Sequence, residues 1–341
     1  PMQLDALFRV TSPAEAPGLA ARYEDYGISG LWTAEKDHDP HLLLALAATG
    51  AKRATLGTAI ALAFNRSPMS LAYTAWDLQT QSEGRYVLGL GTQVRAHIER
   101  RFSAQWERPA ERLREVILSL RAIWSSWANR TPLNFEGEFY KFNLMTPEFV
   151  PPPLPQGPPP IYVGAVNPRV TKLAGELCDG FHVHPFHSAA FLKQTVIPNL
   201  EAGAHAAGRT LETFTLCSSA FCIVGDSSEE LAEVRESVRR QLAFYASTKA
   251  YRAVLEAHGW EDVGDRLALM AREKKWREMP GLITDAMVDE FAVSGTTSEI
   301  AGLLKQKYDG LLQRVAINYG PDAGIARHDE RLRAIAAAFR C

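Results

Sequence analysis

Four ionisable side chains stand in a row at Glu35-Lys36-Asp37-His38. Such a run cannot be buried whole, so it predicts an open turn. The imidazole of His38 suits general acid–base work, with Glu35 placed to orient or relieve it. The same stretch also reads as a helix entry, with Asp37 or Asp39 capping ahead of Pro40. A second cluster is His182-Val183-His184, with His187 close behind. Strand alternation puts His182 and His184 on one face. Two imidazoles there could ligate zinc if Glu35 or Asp37 completed the set, and His184 equally suits a substrate-pocket wall. A third feature is the turn Gly164-Ala165-Val166-Asn167 before Pro168. Free N–H groups at a helix start favour a phosphate, while Asn167 also reads as an N-cap. Gly89-Leu90-Gly91-Thr92-Gln93 begins like a dinucleotide fingerprint. It lacks the third glycine and the later acidic residue, and it reads better as a place where a flat ring approaches a strand end. No G-x-S-x-G, H-E-x-x-H or Walker A pattern occurs.

These residues need elements to position them. Apolar runs at 2–10, 30–34, 54–63, 86–90, 160–164, 179–183, 213–224 and 314–319 read as strands, each followed by helical periodicity. Apolar strands without alternation, separated by helices, imply a parallel sheet covered on both faces. Eight such units predict a (β/α)8 TIM barrel, with an open doubly wound sheet as the second choice. In a barrel the active site lies at the strand C-termini. That rule alone selects Phe8 and Arg9, Glu35 to His38, Thr58 to Asn65, the strand-4 residues Gly89, Gly91, Thr92, Gln93 and His97, Gly164 to Asn167, and His182, His184 and His187. Ser12-Pro13 predicts a helix start with Glu15 in the capping-box position, and Gly27 its stop. Thr297-Ser298-Glu299 predicts the cap of the last helix before the final strand. Two segments break the repeat. Residues 129–160 carry Pro151-Pro152-Pro153 and Pro158-Pro159-Pro160, which predicts an irregular loop over the barrel. Residues 246–290 are charged and helical in character, with Trp260 and Trp276. Both suit lids or plain packing, inside one barrel domain spanning 1–341.

The chain has 341 residues, 46% apolar and 22% charged, with a formal charge of −2. This near-balance argues against a general nucleic-acid binder. The four cysteines show no CxxC spacing, which argues against a disulfide scaffold and fits a reducing, cytoplasmic compartment. No run of about 18 apolar residues is present and the first residues lack a secretion pattern, so no membrane span is expected.

The windows together resemble the luciferase-like monooxygenase superfamily, over nearly the whole chain. The segments that carry the resemblance are LGTAIALAFNRSPMSLAY, SEGRYVLGLGTQ and IYVGAVNPRVTKLAGELCDGFHVHP. The runs TAEKDHDP, QVRAHIERRF and GEFYKFNLMTP resemble the branch that uses coenzyme F420, an 8-hydroxy-5-deazaflavin. The resemblance implies a (β/α)8 barrel with a ring cofactor at its top. It implies a non-prolyl cis peptide at Ala59–Ile60, just after Thr58, and a contact to the ring's pyrimidine edge from His97, near Gly91 and Gln93. It implies the cofactor phosphate at Gly164, Ala165, Val166 and Asn167. Asp37-His38 matches an Asp-His pair beside the substrate, although an ungapped alignment puts Glu35-Lys36 there. The proton-donating carboxylate of sugar-phosphate dehydrogenase relatives falls on Val94, and their phosphate-binding lysines and arginine lack clear matches. A sugar phosphate is therefore a poor substrate candidate. The expected activity is F420-dependent hydride transfer to or from a small organic substrate, in a homodimer. The alternatives are an FMN-dependent monooxygenase, a non-catalytic flavin-binding barrel, and a metal hydrolase barrel.

Overall fold

A computed structural model describes residues 1–320 and 325–340. Its centre is a closed ring of eight parallel strands. They are β1 (Gln3–Leu7), β2 (Gly30–Thr33), β3 (Thr55–Thr58), β4 (Tyr86–Gly91), β5 (Ile161–Ala165), β6 (Gly180–Val183), β7 (Thr215–Val224) and β8 (Arg314–Asn318). Register runs continuously around the ring: Asp5 opposite Gly30, Gly30 opposite Thr55, Leu56 opposite Tyr86, Leu88 opposite Ile161, and Tyr162 opposite Gly180. Gly180 then faces Thr215, Cys217 faces Arg314, and Arg314 faces Gln3, which closes the barrel. Helices between the strands form the outer layer, as in a (β/α)8 barrel.

The strands read as unbroken apolar runs because both faces are covered. Along β4, Tyr86, Leu88 and Leu90 join the large core between strands and helices. Val87 instead joins a small inner cluster with Trp32, Tyr162 and Cys217, against which Ala59 packs. Trp32 and Tyr162 lie nearly parallel with ring centroids 6.0 Å apart. Beneath the site, Asp5 accepts from Arg314 Nε at 2.7 Å and Nη2 at 2.8 Å, and from the Trp32 indole at 2.7 Å. The Asp5 side chain is 1% exposed and that of Arg314 is 12% exposed. Every strong donor and acceptor in this buried pair has a partner, which such a pair requires.

Helix ends follow the sequence signals. Ser12 caps a 3-10 turn at Pro13–Glu15, Glu15 accepts from the Thr11 amide, and the following helix Ala16–Tyr26 stops at Gly27. Asp39 caps Pro40–Gly50, accepting from His41 and Leu42. At the last predicted cap the residues shift. Thr296, rather than Thr297, exchanges bonds with Glu299, while Thr297 reaches across to Asp226. The segment 129–160 is not wholly irregular. Phe135–Glu136 pairs with Lys141–Phe142 as a short antiparallel ribbon. Glu115, on the helix Pro109–Asn129, organises it by accepting from the amides of Glu138, Phe139 and Tyr140. Much of segment 246–290 is helical, including Arg252–Glu256, Glu261–Arg272 and Asp285–Phe291. A further strand, Ala292–Gly295, pairs with the upper half of β7 beyond the end of β6. No helix among the described residues is long and apolar enough to cross a membrane.

Candidate active site

A cavity of about 500 Å³ opens at the C-terminal ends of the barrel strands. Its floor is Asp5, Trp32 and His182, and its walls come from the loops after β3, β4, β5 and β6 together with Ala250 and Tyr251. This is where barrel geometry places a site.

The loop after β3 supplies the first wall. Backbone pairing between β3 and β4 reaches Gly57–Val87, lapses, and resumes at Ala61–Leu90. In the gap the Ala59–Ile60 peptide is cis. Thr58 bridges the gap with its hydroxyl, which donates to the Gly89 carbonyl at 2.7 Å and accepts from the Gly89 amide at 2.9 Å. Ile60 then lies between the β4 and β5 ends. A Cβ on Gly164 would stand 2.9 Å from Ile60 Cγ2, and one on Gly91 would stand 2.5 Å from Ile60 Cδ1. At both positions a side chain would have to displace Ile60. Gln93 has a left-handed backbone, φ 59°, and folds its side-chain oxygen onto the Val94 amide.

The second wall is the turn Gly164, Ala165, Val166, Asn167, all of which line the cavity. Asn167 caps the helix Pro168–Leu177 by accepting from Val170 at 3.0 Å. The amide-rich, positive end of that helix therefore faces the cavity.

Three histidines stand on or behind the third wall. His182 sets its ring edge-on to Trp32 at 4.8 Å and holds Nδ1 3.2 Å from Cys217 Sγ. Its Nε2 is buried without a hydrogen-bond partner. His184 stacks on Tyr251 at 4.3 Å and meets Tyr245 edge-on at 4.7 Å. His187 lies behind, with Nδ1 near the His184 carbonyl at 2.9 Å and Ser218 Oγ at 3.3 Å. Burial pushes the pKa of His182 and of His187 down to about 4, and that of His184 down to about 3. All three rings are neutral at pH 7. Among the described residues no group of three or more His, Cys, Asp or Glu side chains is arranged to hold a metal.

Of the site residues read from the sequence, Ala59, Ile60, Gly91, Gln93, Gly164, Ala165, Val166, Asn167 and His184 line this one cavity. The others stand elsewhere, for identifiable reasons. Phe8 is fully buried in the outer core, and the cavity is lined by Leu7 one residue earlier, because alternation turns Phe8 away. Thr58 is sealed off while bridging β3 to β4. Glu35 lies outside the lining and its carboxylate is committed to scaffolding. It accepts from the Leu62 amide at 2.8 Å, Asn65 Nδ2 at 2.7 Å and Arg66 Nη1 at 2.9 Å. Arg66 also bridges to the capping Asp39 at 2.7 Å. Asp37 is exposed and His38 half-buried on this turn, and neither lines the cavity. His97 is exposed on the short helix Arg95–Arg100, outside the lining. Trp32, Cys217, Ser219 and Ala316 also line the cavity, although only alternation along β2, β7 and β8 marked them as inward-facing. Ser218 and Tyr251 carried no such signal, since Tyr251 comes from an insertion without a repeat.

The family description for luciferase-like monooxygenases matches residues 3–314. The chain belongs to that family. It is 45% identical over 302 residues to an uncharacterized protein of Mycobacterium tuberculosis, covering 89% of each chain. It is 28% identical over 308 residues to the 5,10-methylenetetrahydromethanopterin reductase of Archaeoglobus fulgidus, covering 88% of each. Among solved structures it superposes on the coenzyme F420-dependent tetrahydromethanopterin reductase of Methanopyrus kandleri. The TM-score is 0.78 at 21% identity, covering 98% of this chain and 97% of that one. It also superposes on the oxygenating constituent of a Pseudomonas putida 3,6-diketocamphane monooxygenase in complex with FMN. There the TM-score is 0.71 at 18% identity, covering 99% and 98%. At these identities the two structures establish the shared luciferase-like barrel.

Proposed function

We propose that this chain is an F420-dependent oxidoreductase acting on a small organic molecule. The observation that carries the reading is the convergence of three backbone features on one cavity. They are the Ala59–Ile60 ledge, the Gly91–Gln93 strand end and the Gly164–Asn167 turn at a helix N-terminus. The volume is within the range of about 300–1,000 Å³ typical of small-molecule sites. Groups present also suit a flat heterocycle with a phosphate-bearing tail. Ile60 offers an apolar ledge, Gly91 and Gly164 leave the strand ends bare, and the turn offers N–H groups and a helix dipole. The F420-dependent neighbour supports the deazaflavin over other ring cofactors.

Bound here, a deazaflavin supplies two-electron hydride chemistry. The chain's part is to orient the ring on Ile60, to anchor the tail at Gly164–Asn167, and to keep water out with Tyr251 and His184. His38 stays the proposed proton-transfer residue, acting from the rim of the Glu35–Asp39 turn. Catalytic hydrogen bonds often tighten only once substrate is bound. A homodimer goes with the same family reading and is checked by light scattering.

A fluorescence titration of the purified protein with F420 and with FMN tests the cofactor. Tight F420 binding with weak FMN binding is expected. The reverse order would sink the deazaflavin reading and favour the monooxygenase one, for which the FMN-bound neighbour is the structural precedent. Binding of neither would withdraw both.

A further inference from the structure

His184 follows β6 directly and lines the cavity. Its Nδ1 accepts the backbone amide of Phe186 at 3.1 Å. A peptide N–H can only donate, so Nδ1 carries a lone pair and the neutral ring holds its proton on Nε2. Protonating Nδ1 would set two N–H groups against each other, so the imidazolium is disfavoured by geometry as well as by burial. Stacking on Tyr251 and edge contact with Tyr245 fix the ring plane. Nε2 is paired with no described residue and is not among the sealed, unsatisfied polar atoms. In a cavity-lining ring whose Nδ1 is engaged and whose plane is held by two tyrosines, Nε2–H is the remaining donor.

The surroundings restrict what it can bind. Val183, Ala250 and Tyr251 make this wall apolar. No lysine or arginine is among the described lining residues. The one lining carboxylate, Asp5, is already neutralised by Arg314 on the floor. A carboxylate or phosphate seated against His184 would be desolvated with no cation in the lining to pair with it, since Arg9, which acts on Tyr245, stands outside that lining, and such burial is unfavourable. An uncharged oxygen would have its one acceptor need met by Nε2–H and its carbon body covered by the aromatic rings.

We propose that the His184 Nε2–H is the donor that holds the substrate's oxygen, and that the substrate is an uncharged carbonyl compound or its alcohol. This rests on the oxidoreductase reading above. His184 holds the oxygen and gives up no proton, a role distinct from that of His38.

The test uses the full chain with 15N-labelled histidine. Long-range 1H–15N correlations report the protonation of each ring nitrogen, and a His184→Leu variant assigns the signals. Spectra are recorded with and without F420, against cyclohexanone, cyclohexanol, pyruvate and inorganic phosphate. The proton is expected on Nε2 from pH 5 to 8, and cyclohexanone or cyclohexanol is expected to move the Nε2 resonance. The dissociation constant of the responding probe should rise about tenfold in His184→Leu and much less in His184→Gln, which keeps an N–H donor. A proton on Nδ1, or a doubly protonated ring at pH 6, overturns the proposal. So does a response to phosphate or pyruvate alone, or no response to either uncharged probe in both states. The cofactor titration is read separately. F420 binding without a response to ketone or alcohol sinks the donor role alone. A response without F420 binding sinks the deazaflavin reading and leaves the donor in place.

Discussion

Glu35 shows how a carboxylate beside a catalytic-looking turn can be structural. Its side chain is 6% exposed and accepts from the Leu62 amide, Asn65 and Arg66. These bonds tie the turn after β2 to the segment that follows the cis peptide. Glu35→Ala would leave the Leu62 amide without its acceptor and Arg66 without its buried carboxylate partner, with only the more exposed Asp39 remaining. Breaking a buried pair of this kind costs about 3 kcal/mol, so a matching fall in stability is expected from the urea unfolding midpoint. An unchanged midpoint would show that the network carries little. His38, two residues beyond the exposed Lys36, has no such commitment. His38→Ala should keep the fold and lower turnover of an identified substrate about 100-fold, the usual scale for a lost acid–base group. Turnover within about threefold of the parent would remove His38 from the chemistry.

At the scale of elements, the order of strands was legible in the sequence and several side-chain assignments were not. Six of the eight apolar runs fell within a residue or two of a barrel strand, because strands covered on both faces cannot hide their composition. The first ran three residues past Leu7 and the third five past Thr58. The turn Gly164–Asn167 was legible for a similar reason: Asn-Pro after small residues has few structural uses. The direction of a side chain at a strand end was harder to read. Phe8 and Leu7 differ by one position, and pleating sends one to the helices and the other to the cavity. Thr58 was misplaced because nothing in its neighbours announces that pairing to β4 lapses there. The ribbon at 135–142 depends on Glu115, some twenty residues upstream, and so lies beyond any local signal. The β5 end gives a direct test of how elements shape the cofactor wall. Gly164→Val would press on Ile60 and on the His182 backbone side of the turn. F420 affinity should fall about tenfold or more in the fluorescence titration, with the melting temperature changed by only a few degrees. Unchanged affinity would refute the role of the turn.

For the whole molecule, the buried histidines make stability depend on acid. His41 is 5% exposed, and burial lowers its pKa from 6.5 to about 4; His182 and His187 behave alike. The unfolded chain binds these protons near pH 6.5, whereas the folded chain refuses them until about pH 4. Folding stability from this source is therefore full above pH 6.5, falls between 6.5 and 4, and is flat below. Each ring contributes up to about 2–3 kcal/mol across that window. Calorimetry from pH 8 to pH 4.5 should show a steep drop in melting temperature below pH 6.5, and a flat profile would contradict the neutral assignments. The pair Asp5–Arg314 acts on another scale, joining the first strand to the last across 309 positions. A ribosome delivers Asp5 309 positions before Arg314. Until then the nascent chain carries an uncompensated carboxylate on β1 and bare edges on β1 and β7. The barrel therefore cannot close until its eighth strand is made, however much of the rest has already formed.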